Sequence, residues 1–405
     1  MATDETELGE VRLFLEEICG ELCRMDHEAR DGTPPESIAV RREVSLGRPG
    51  AFADLHIAPS GGAPYFVEVK WGYGGRDLVE RLARKYDRNP DAAARRLLLV
   101  SDLVDRQEWH DTLGRLRERV TPDLAIEAWG ERELLARVKT SFDLDLEGFT
   151  SQGLRQIREA IMRAEWQVAF GRDADERMMS TLLWHFSPWT LARLKRERGL
   201  GPDDVMQPGA YRSIIIVIAD LCAFSSYVRD TRDDSLVRLA LTSFYSQARQ
   251  AVVDAGGMLD KFVGDEVIGI FGYPAPGRGD AEAALACARQ LVDIGESVSD
   301  HWQRRIDRVQ DAKGVHVGIA RGDLNLMRLR AFSTRHYAFI GDAVNLAARL
   351  TGIAGPGEIV VSNRFHQALG DTSAAQFAEI PPIDAKNVGR IKAWKYAGGS
   401  TPSSS

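Results

Sequence analysis

The residues best suited to chemistry in this sequence are two aspartates at the ends of apolar runs. Asp265 follows Gly264 between Met258–Val263 and Val267–Phe271, in the stretch GGMLDKFVGDEVIGIFG. A Gly-Asp pair between alternating apolar runs signals a tight hairpin, which holds that carboxylate in an exposed turn. Taken alone, Asp265 reads as a turn-former, since a turn needs only some polar residue there. Asp220 ends IIIVIAD, residues 214–220, a run apolar on both faces and so a central strand covered by helices. The following LCAFSSY, 221–227, turns into a helix predicted over Ser235–Ala255, and free N–H groups at a helix start beside Asp220 would suit a phosphate. Strand, loop, helix and hairpin in that order put Asp220 and Asp265 on adjacent strands. Two carboxylates at one end of a sheet, beside an anion-binding helix start, make a two-metal phosphoryl-transfer site. Further on, Asn345 and Arg349 lie four apart in GDAVNLAARL and share one helix face. An amide and a guanidinium on one face suit a ribose and a polyphosphate.

A second set of charged residues lies near the start. Asp54 sits on a predicted strand Ala51–Ile57, and Glu68 and Lys70 on the next, Tyr65–Lys70. Residues two apart on a strand point the same way, so Glu68 and Lys70 point together, and Asp54 on a paired strand can meet them. Two acids would hold a divalent cation while the lysine stabilises an attacking water or a developing charge. The plainer reading is a salt-bridged sheet edge running from Glu68 to Lys70 to Arg76.

The elements around these residues divide the chain. Over residues 1–145, a helix at Val11–Leu22 precedes strands Ser37–Ser45, Ala51–Ile57 and Tyr65–Lys70. Then come a helix Arg76–Tyr86, a strand Arg96–Ser101, a helix Gln107–Arg119, a strand Leu124–Ala128 and a helix Glu131–Lys139. Meander followed by alternation implies an α/β sandwich with a mixed sheet. Residues 146–209 form a helical connector, with helices over Gly153–Phe170 and Met178–Gly199, an aromatic cluster Trp184–Trp189, and a Gly/Pro/Asp-rich linker at 199–209. Residues 210–396 carry the first-named site and add a helix Ala281–Ile294 and strands Val315–Ala320 and Thr334–Ile340. Residues 397–405 end in GGSTPSSS, a disordered tail.

Bulk properties narrow the classes. With 52 Lys and Arg against 59 Asp and Glu, net charge −7, there is no general nucleic-acid footprint. The apolar runs are too short for a bilayer and the acidic N-terminus has no signal core, so a cytoplasmic, membrane-free protein is expected. Four cysteines, Cys19, Cys23, Cys222 and Cys287, are too few and scattered for a disulfide framework and read as buried thiols. His316 reads as a packed or surface residue, because such a site needs oxygen ligands.

DLCAFSSY, GGMLDKFVGDEVIGIFG, HVGIARGD and IGDAVNLAARL, in that order, resemble the class III nucleotide cyclase domain of adenylate and guanylate cyclases, a ferredoxin-like fold. The resemblance implies that Asp220 and Asp265, with the Leu221 carbonyl, bind two Mg²⁺ or Mn²⁺ ions per active site. It implies that Asn345 orients the ribose and Arg349 stabilises phosphate charge in the transition state. Phe224 and Ser225 would lie along the substrate, although the family's Gly and Thr after the first Asp are Ala223 and Ser225 here. It also implies a head-to-tail homodimer with two sites, each taking metal aspartates from one subunit and Asn345, Arg349 and the base-reading residues from the other. Lys386, in DAKNVGRIKAWKY, aligns with a lysine-rich strand that contacts phosphates in the family; a solvated strand-edge lysine is the plainer reading. Asp54, Glu68 and Lys70 resemble the PD-(D/E)xK restriction-endonuclease-like superfamily, with Ala53 where that motif has Pro. That superfamily includes nucleases and many members that bind without cutting.

Base choice is open at one pair. Lys261 occupies the adenine-reading lysine's place, but its usual Asp or Thr partner is Ala338, and losing a hydrogen-bonding group costs discrimination. A broken purine code behind a restriction-like domain resembles the pyrimidine cyclases of bacterial antiphage (Pycsar) systems, as do DLCAFSSYVRDT and WHFSPW. That resemblance implies UTP to cUMP or CTP to cCMP, with the product acting on a separate effector. The alternatives are an adenylate cyclase in ordinary signalling, supported by Lys261, and a metal-dependent nuclease acting through Asp54, Glu68 and Lys70 with a regulatory cyclase-like domain.

Overall fold

The computed structural model describes residues 2–46, 51–87, 95–171, 175–231, 234–303, 312–328, 337–385 and 389–397. Lys386 lies outside the described residues. The chain divides into two compact units, Met1–Ala164 and Glu165–Ser405, with the boundary inside one helix.

The first unit is a mixed sheet between helices. The strands are β1 (Ile38–Ser45), β2 (Phe52–Pro59), β3 (Tyr65–Val69), β4 (Arg96–Val100) and β5 (Ala125–Trp129), in sheet order as numbered. β1, β2 and β3 pair antiparallel, and β3, β4 and β5 pair parallel. The antiparallel start needs only tight connections, whereas the parallel half needs crossovers. These are supplied by α2 (Gly75–Tyr86) and α3 (Trp109–Arg119), after α1 (Ala2–Asp31) and before α4 (Glu131–Phe142). Leu15, Ile18 and Leu22 of α1 pack with Leu134 and Val138 of α4 on Leu55, Val67 and Leu98, while Leu78, Leu82 and Leu116 of α2 and α3 pack on Phe66, Leu97 and Leu99. Cys19 and Cys23 are free thiols inside the first of these cores, as buried small apolar groups. The boundary helix, α5 (Ser151–Phe170), follows.

The second unit begins with α6 (Glu176–His185), α7 (Pro188–Arg198) and the short α8 (Pro202–Val205). The helical stretch 178–199 breaks at Phe186 because Ser187 caps α7, its side chain accepting from the Thr190 N–H, and Pro188 occupies the first turn. The stretch 199–209 is packed rather than a free linker, since Val205 and Met206 are buried and the Tyr273 hydroxyl donates to the Val205 carbonyl at 2.7 Å.

The sheet of this unit runs β12 (Phe377–Ala385), β13 (Gly389–Tyr396), β11 (Ile359–Ser362), β9 (Val315–Arg328), β6 (Gly209–Leu221), β8 (Glu266–Phe271), β7 (Met258–Val263), with β10 (Tyr337–Ile340) paired to the far end of β9. β9 and β11 are parallel, and the other pairings are antiparallel. β6 is central because Ile214–Ala219 has no polar face to give to water. Its Ile215, Val217 and Ala219 face α10 (Asp234–Asp254) and α11 (Asp280–Gln303) through Phe244, Ala248, Val252, Ala284, Ala288 and Leu291. The helix predicted to follow Asp220 is split: a short α9 (Phe224–Asp230) precedes α10. The remaining helices are α12 (Asp342–Thr351), α13 (Asn363–His366) and α14 (Asp371–Ala374). No helix among the described residues is long and apolar enough to cross a membrane.

Candidate active site

The hairpin forms as the sequence predicts. Val263 pairs with Glu266, so Gly264 and Asp265 are the two loop residues, and Gly264 takes φ 64°, a conformation glycine adopts without steric cost. Asp220 pairs directly with Glu266 across β6 and β8, which brings Asp220 and Asp265 to the same end of adjacent strands. Both are half-buried. Burial and the neighbouring Asp265 push the Asp220 carboxyl up to about 6, against a weaker opposing effect from His316. Burial also raises Asp265, and burial with Asp220 and Asp265 raises Glu266. Among the described residues, no lysine or arginine is among the groups acting on either aspartate.

Two half-buried carboxylates of like charge at one end of adjacent strands fit a divalent cation. Their donors, with the Leu221 carbonyl, are the hard oxygens that Mg²⁺ and Mn²⁺ take. The set is small: no group of three or more His, Cys, Asp or Glu able to hold a metal occurs among the described residues. His316 is not a further ligand. Its Nδ1–H donates to the Ala354 carbonyl at 2.8 Å, and its Nε2 faces Cys222 Sγ at 3.3 Å. Beyond Asp220, the Phe224 ring is in the core against Tyr227, and Ser225 is exposed. Ala223 sits at φ 57°, the left-handed region, where the family resemblance has glycine.

Asn345 and Arg349 lie on α12, Asn345 exposed and Arg349 half-buried one turn on. What places them is a close approach of α12 to the sheet. A Cβ on Gly318 of β9 would lie 2.3 Å from the Ala347 carbonyl and 2.4 Å from the Thr351 amide, so only glycine lets the helix lie down there. The Thr351 hydroxyl bonds to the Ala347 carbonyl one turn back in α12 at 3.0 Å, and it also reaches the Ile218 carbonyl of β6 at 3.4 Å, a contact available only once α12 is seated.

Lys261 and Ala338 lie on β7 and β10. The β7 register slips between Leu259 and Lys261, and the bulged Asp260 is largely buried. The Lys261 ammonium is 3.3 Å from the Asp260 carboxylate, so it has a carboxylate partner within its own strand. Ala338 presents a methyl group and stands opposite Met327 on β9.

One support of the hairpin has no sequence signature. The Tyr245 hydroxyl of α10 donates to the Gly264 carbonyl beside Asp265. Its ring stacks on Phe262 at 4.1 Å, and Trp184 of α6 meets Phe262 edge-on at 6.5 Å. The end of α6 is fixed to the same region: His185 Nδ1 lies 2.6 Å from the Leu259 carbonyl, and Arg249 donates to the Leu183 and Trp184 carbonyls. The aromatic cluster of the connector is thus tied to the hairpin that bears Asp265.

In the first unit, Asp54, Glu68 and Lys70 also come together. Lys70 Nζ is 2.5 Å from Asp54 and 2.6 Å from Glu68. Arg76 is exposed and is not the third partner; Lys85 of α2 is, at 2.7 Å and 2.9 Å from the two Glu68 oxygens and 3.7 Å from Asp54. The Tyr86 hydroxyl donates to Glu68 at 2.8 Å and the Val69 amide to Asp54 at 2.7 Å. Burial alone would raise Asp54, but Lys70 and Lys85 outweigh it and hold the carboxyl below its usual range. Burial likewise disfavours the Lys70 ammonium, yet Asp54 and Glu68 raise it. These four charges balance, and a divalent cation does not fit among them without displacing an ammonium.

Residues 206–397 match the family described as Adenylate and Guanylate cyclase catalytic domain. An uncharacterized protein of Mycobacterium tuberculosis is 28% identical over 206 residues, 50% of this chain and 35% of that protein. A Mycobacterium bovis adenylate cyclase is 24% identical over 242 residues, 59% of this chain and 48% of that protein. The chain spans between about a third and a half of the length of these curated relatives. Among solved structures, the adenylyl cyclase CyaB from P. aeruginosa is 20% identical with a TM-score of 0.42, covering 48% of this chain and 98% of that one. The guanylyl cyclase Cya2 is 23% identical with a TM-score of 0.42, covering 49% and 98%. Residues 206–397 are a nucleotide cyclase catalytic domain of the adenylate and guanylate cyclase family.

Proposed function

We propose that the chain converts a pyrimidine nucleoside triphosphate, UTP or CTP, to its 3′,5′-cyclic monophosphate and pyrophosphate. The product would serve as a second messenger for a separate effector in antiphage defence. The observation carrying the choice of base is the Lys261–Ala338 pair. The lysine that would read a purine is beside its own Asp260, and the partner position offers only a methyl group. A purine edge presented to that pair meets one hydrogen-bonding group where the purine code uses two, and such a deficit costs discrimination steeply.

In the reaction, the ribose 3′-oxygen forms a bond to the α-phosphorus as the bond from that phosphorus to the β-phosphate oxygen breaks. The 3′-hydroxyl proton is lost and pyrophosphate leaves. Asp220, Asp265 and the Leu221 carbonyl would hold Mg²⁺ or Mn²⁺, which lowers the pKa of the 3′-hydroxyl and offsets phosphate charge. Arg349 donates to phosphate oxygens as charge builds on the leaving group, and Asn345 fixes the ribose so that attack is in line. Two chains head to tail would combine these halves, because the aspartates and α12 of one chain serve different sites in that arrangement.

The test is incubation of the purified full chain with each nucleoside triphosphate and Mn²⁺, with products identified by mass spectrometry. The expected dominant product is cUMP or cCMP. Dominant cAMP would establish the alternative that Lys261 favours, an adenylate cyclase, and would overturn the pyrimidine reading. No cyclic product from any nucleotide would overturn the activity itself.

A further inference from the structure

The two carboxylate pairs singled out in the sequence, Asp220 with Asp265 and Asp54 with Glu68, have different surroundings. Among the described residues, no lysine or arginine acts on Asp220 or Asp265. Asp54 and Glu68 are matched charge for charge by Lys70 and Lys85, with every contact but one at 2.9 Å or less. Glu68 is fully buried and its oxygens are shared between Lys85, Lys70 and the Tyr86 hydroxyl. A carboxylate so placed has few lone pairs left for a metal. Moving it out of this network would also leave the buried Lys70 ammonium and the part-buried Lys85 ammonium without Glu68.

We infer that the Lys85 ammonium takes the place of a divalent cation between Asp54 and Glu68, making the N-terminal unit a metal-free module that cuts no phosphodiester. The geometry explains why α2 is required: its last turn brings Lys85 and Tyr86 to Glu68 together, so the helix is fastened to β3 by the same contacts that neutralise the site. The consequence is that the Asp54–Glu68 pair contributes no divalent-cation dependence to the protein. This inference goes beyond the cyclase reading and does not depend on the base chosen.

The experiment uses the full chain carrying Asp220→Asn and Asp265→Asn, titrated with Mn²⁺ alone and followed by electron paramagnetic resonance of the free ion. With Lys85 intact, no stoichiometric Mn²⁺ binding is expected. Adding Lys85→Met is expected to create one Mn²⁺ site per chain, lost again with Asp54→Asn. Stoichiometric binding with Lys85 intact overturns the inference, as does Mn²⁺-dependent nicking of supercoiled DNA that Glu68→Gln abolishes. A folded Lys85→Met chain that takes no Mn²⁺ overturns the placing of that ammonium at a cation position. Were Lys85→Met not to fold, the titration with Lys85 intact and the nicking assay would still decide. Lys85→Met in an otherwise natural chain leaves cyclase turnover unchanged, so failure here is distinct from failure of the cyclase reading.

Discussion

Replacing Asp220 by Asn should make the metal-free protein more stable while abolishing its turnover. The carboxyl rises from 3.8 to about 6, chiefly by burial and then by Asp265. At about 1.4 kcal/mol per pH unit that is about 3 kcal/mol of unfavourable folded-state charge. The group is only half-buried, and solvent screening reduces the figure to about 1–1.5 kcal/mol. The sign follows from linkage. A carboxyl raised in the folded state destabilises above its folded pKa, and the penalty is relieved as pH falls from about 6 toward 3.8. In EDTA at pH 7.5, Asp220→Asn should therefore raise the melting temperature of the second unit by about 2–6 °C, and the gain should shrink toward pH 4. Added Mn²⁺ should stabilise the natural chain more than the variant. Turnover should fall by about 10³-fold or more, several kcal/mol of barrier. Differential scanning fluorimetry across pH, with and without Mn²⁺, reads the first three outcomes and product formation the fourth. A variant less stable at pH 7.5 in EDTA, or one still turning over near the natural rate, would refute the reasoning that this carboxylate is held ready for a cation.

Two further outcomes rest on the supports of the site. Tyr245→Phe removes the hydroxyl that donates to the Gly264 carbonyl, a loss of about 0.5–1.5 kcal/mol; the Mn²⁺ concentration for half-maximal activity should rise several-fold with nucleotide KM unchanged, and an equal change in both would make Tyr245 merely structural. Gly318→Ala drives a methyl into the Ala347 carbonyl and Thr351 amide, both backbone, so neither can swing away. A cost of about 1–3 kcal/mol or more is expected, with a drop in both melting temperature and turnover as Asn345 and Arg349 shift with α12; a melting temperature within a degree of the natural chain would contradict it.

How much of this was legible in the sequence depends on whether the signal was local. The central strand was plain because six consecutive apolar residues ending in Asp220 have no other use. The hairpin was plain because Gly264-Asp265 is turn chemistry that acts over two residues, and the shared face of Asn345 and Arg349 follows from helix geometry alone. Alternation likewise aimed Glu68 and Lys70 together, 2.6 Å apart in the fold. Strand lengths were less visible. β6 begins at Gly209 and β9 runs to Arg328, because Gly209, Ala210 and Tyr211 find ladder partners in Leu326, Asn325 and Leu324, and pairing rather than composition makes those ends extended.

What the sequence withheld were partners supplied by packing. A lysine in the last turn of a helix already has a local explanation, since a cation complements the helix dipole there. Lys85 therefore gave no hint that it faces Glu68, and Arg76 was the nearer candidate by position. The crossover from β3 to β4 decides between them: it leads α2 back over the sheet so that its end, not its start, lies above Glu68. The same holds for Tyr245, an unremarked aromatic in a helix until Phe262 and the Gly264 carbonyl are set beside it. In both cases the acidic residues that could do chemistry were readable from their own strands. The groups that bear on each pair come from a helix packed over it, and the two helices act differently: α2 closes its pair with an ammonium, while α10 brings a hydroxyl to the turn of the other.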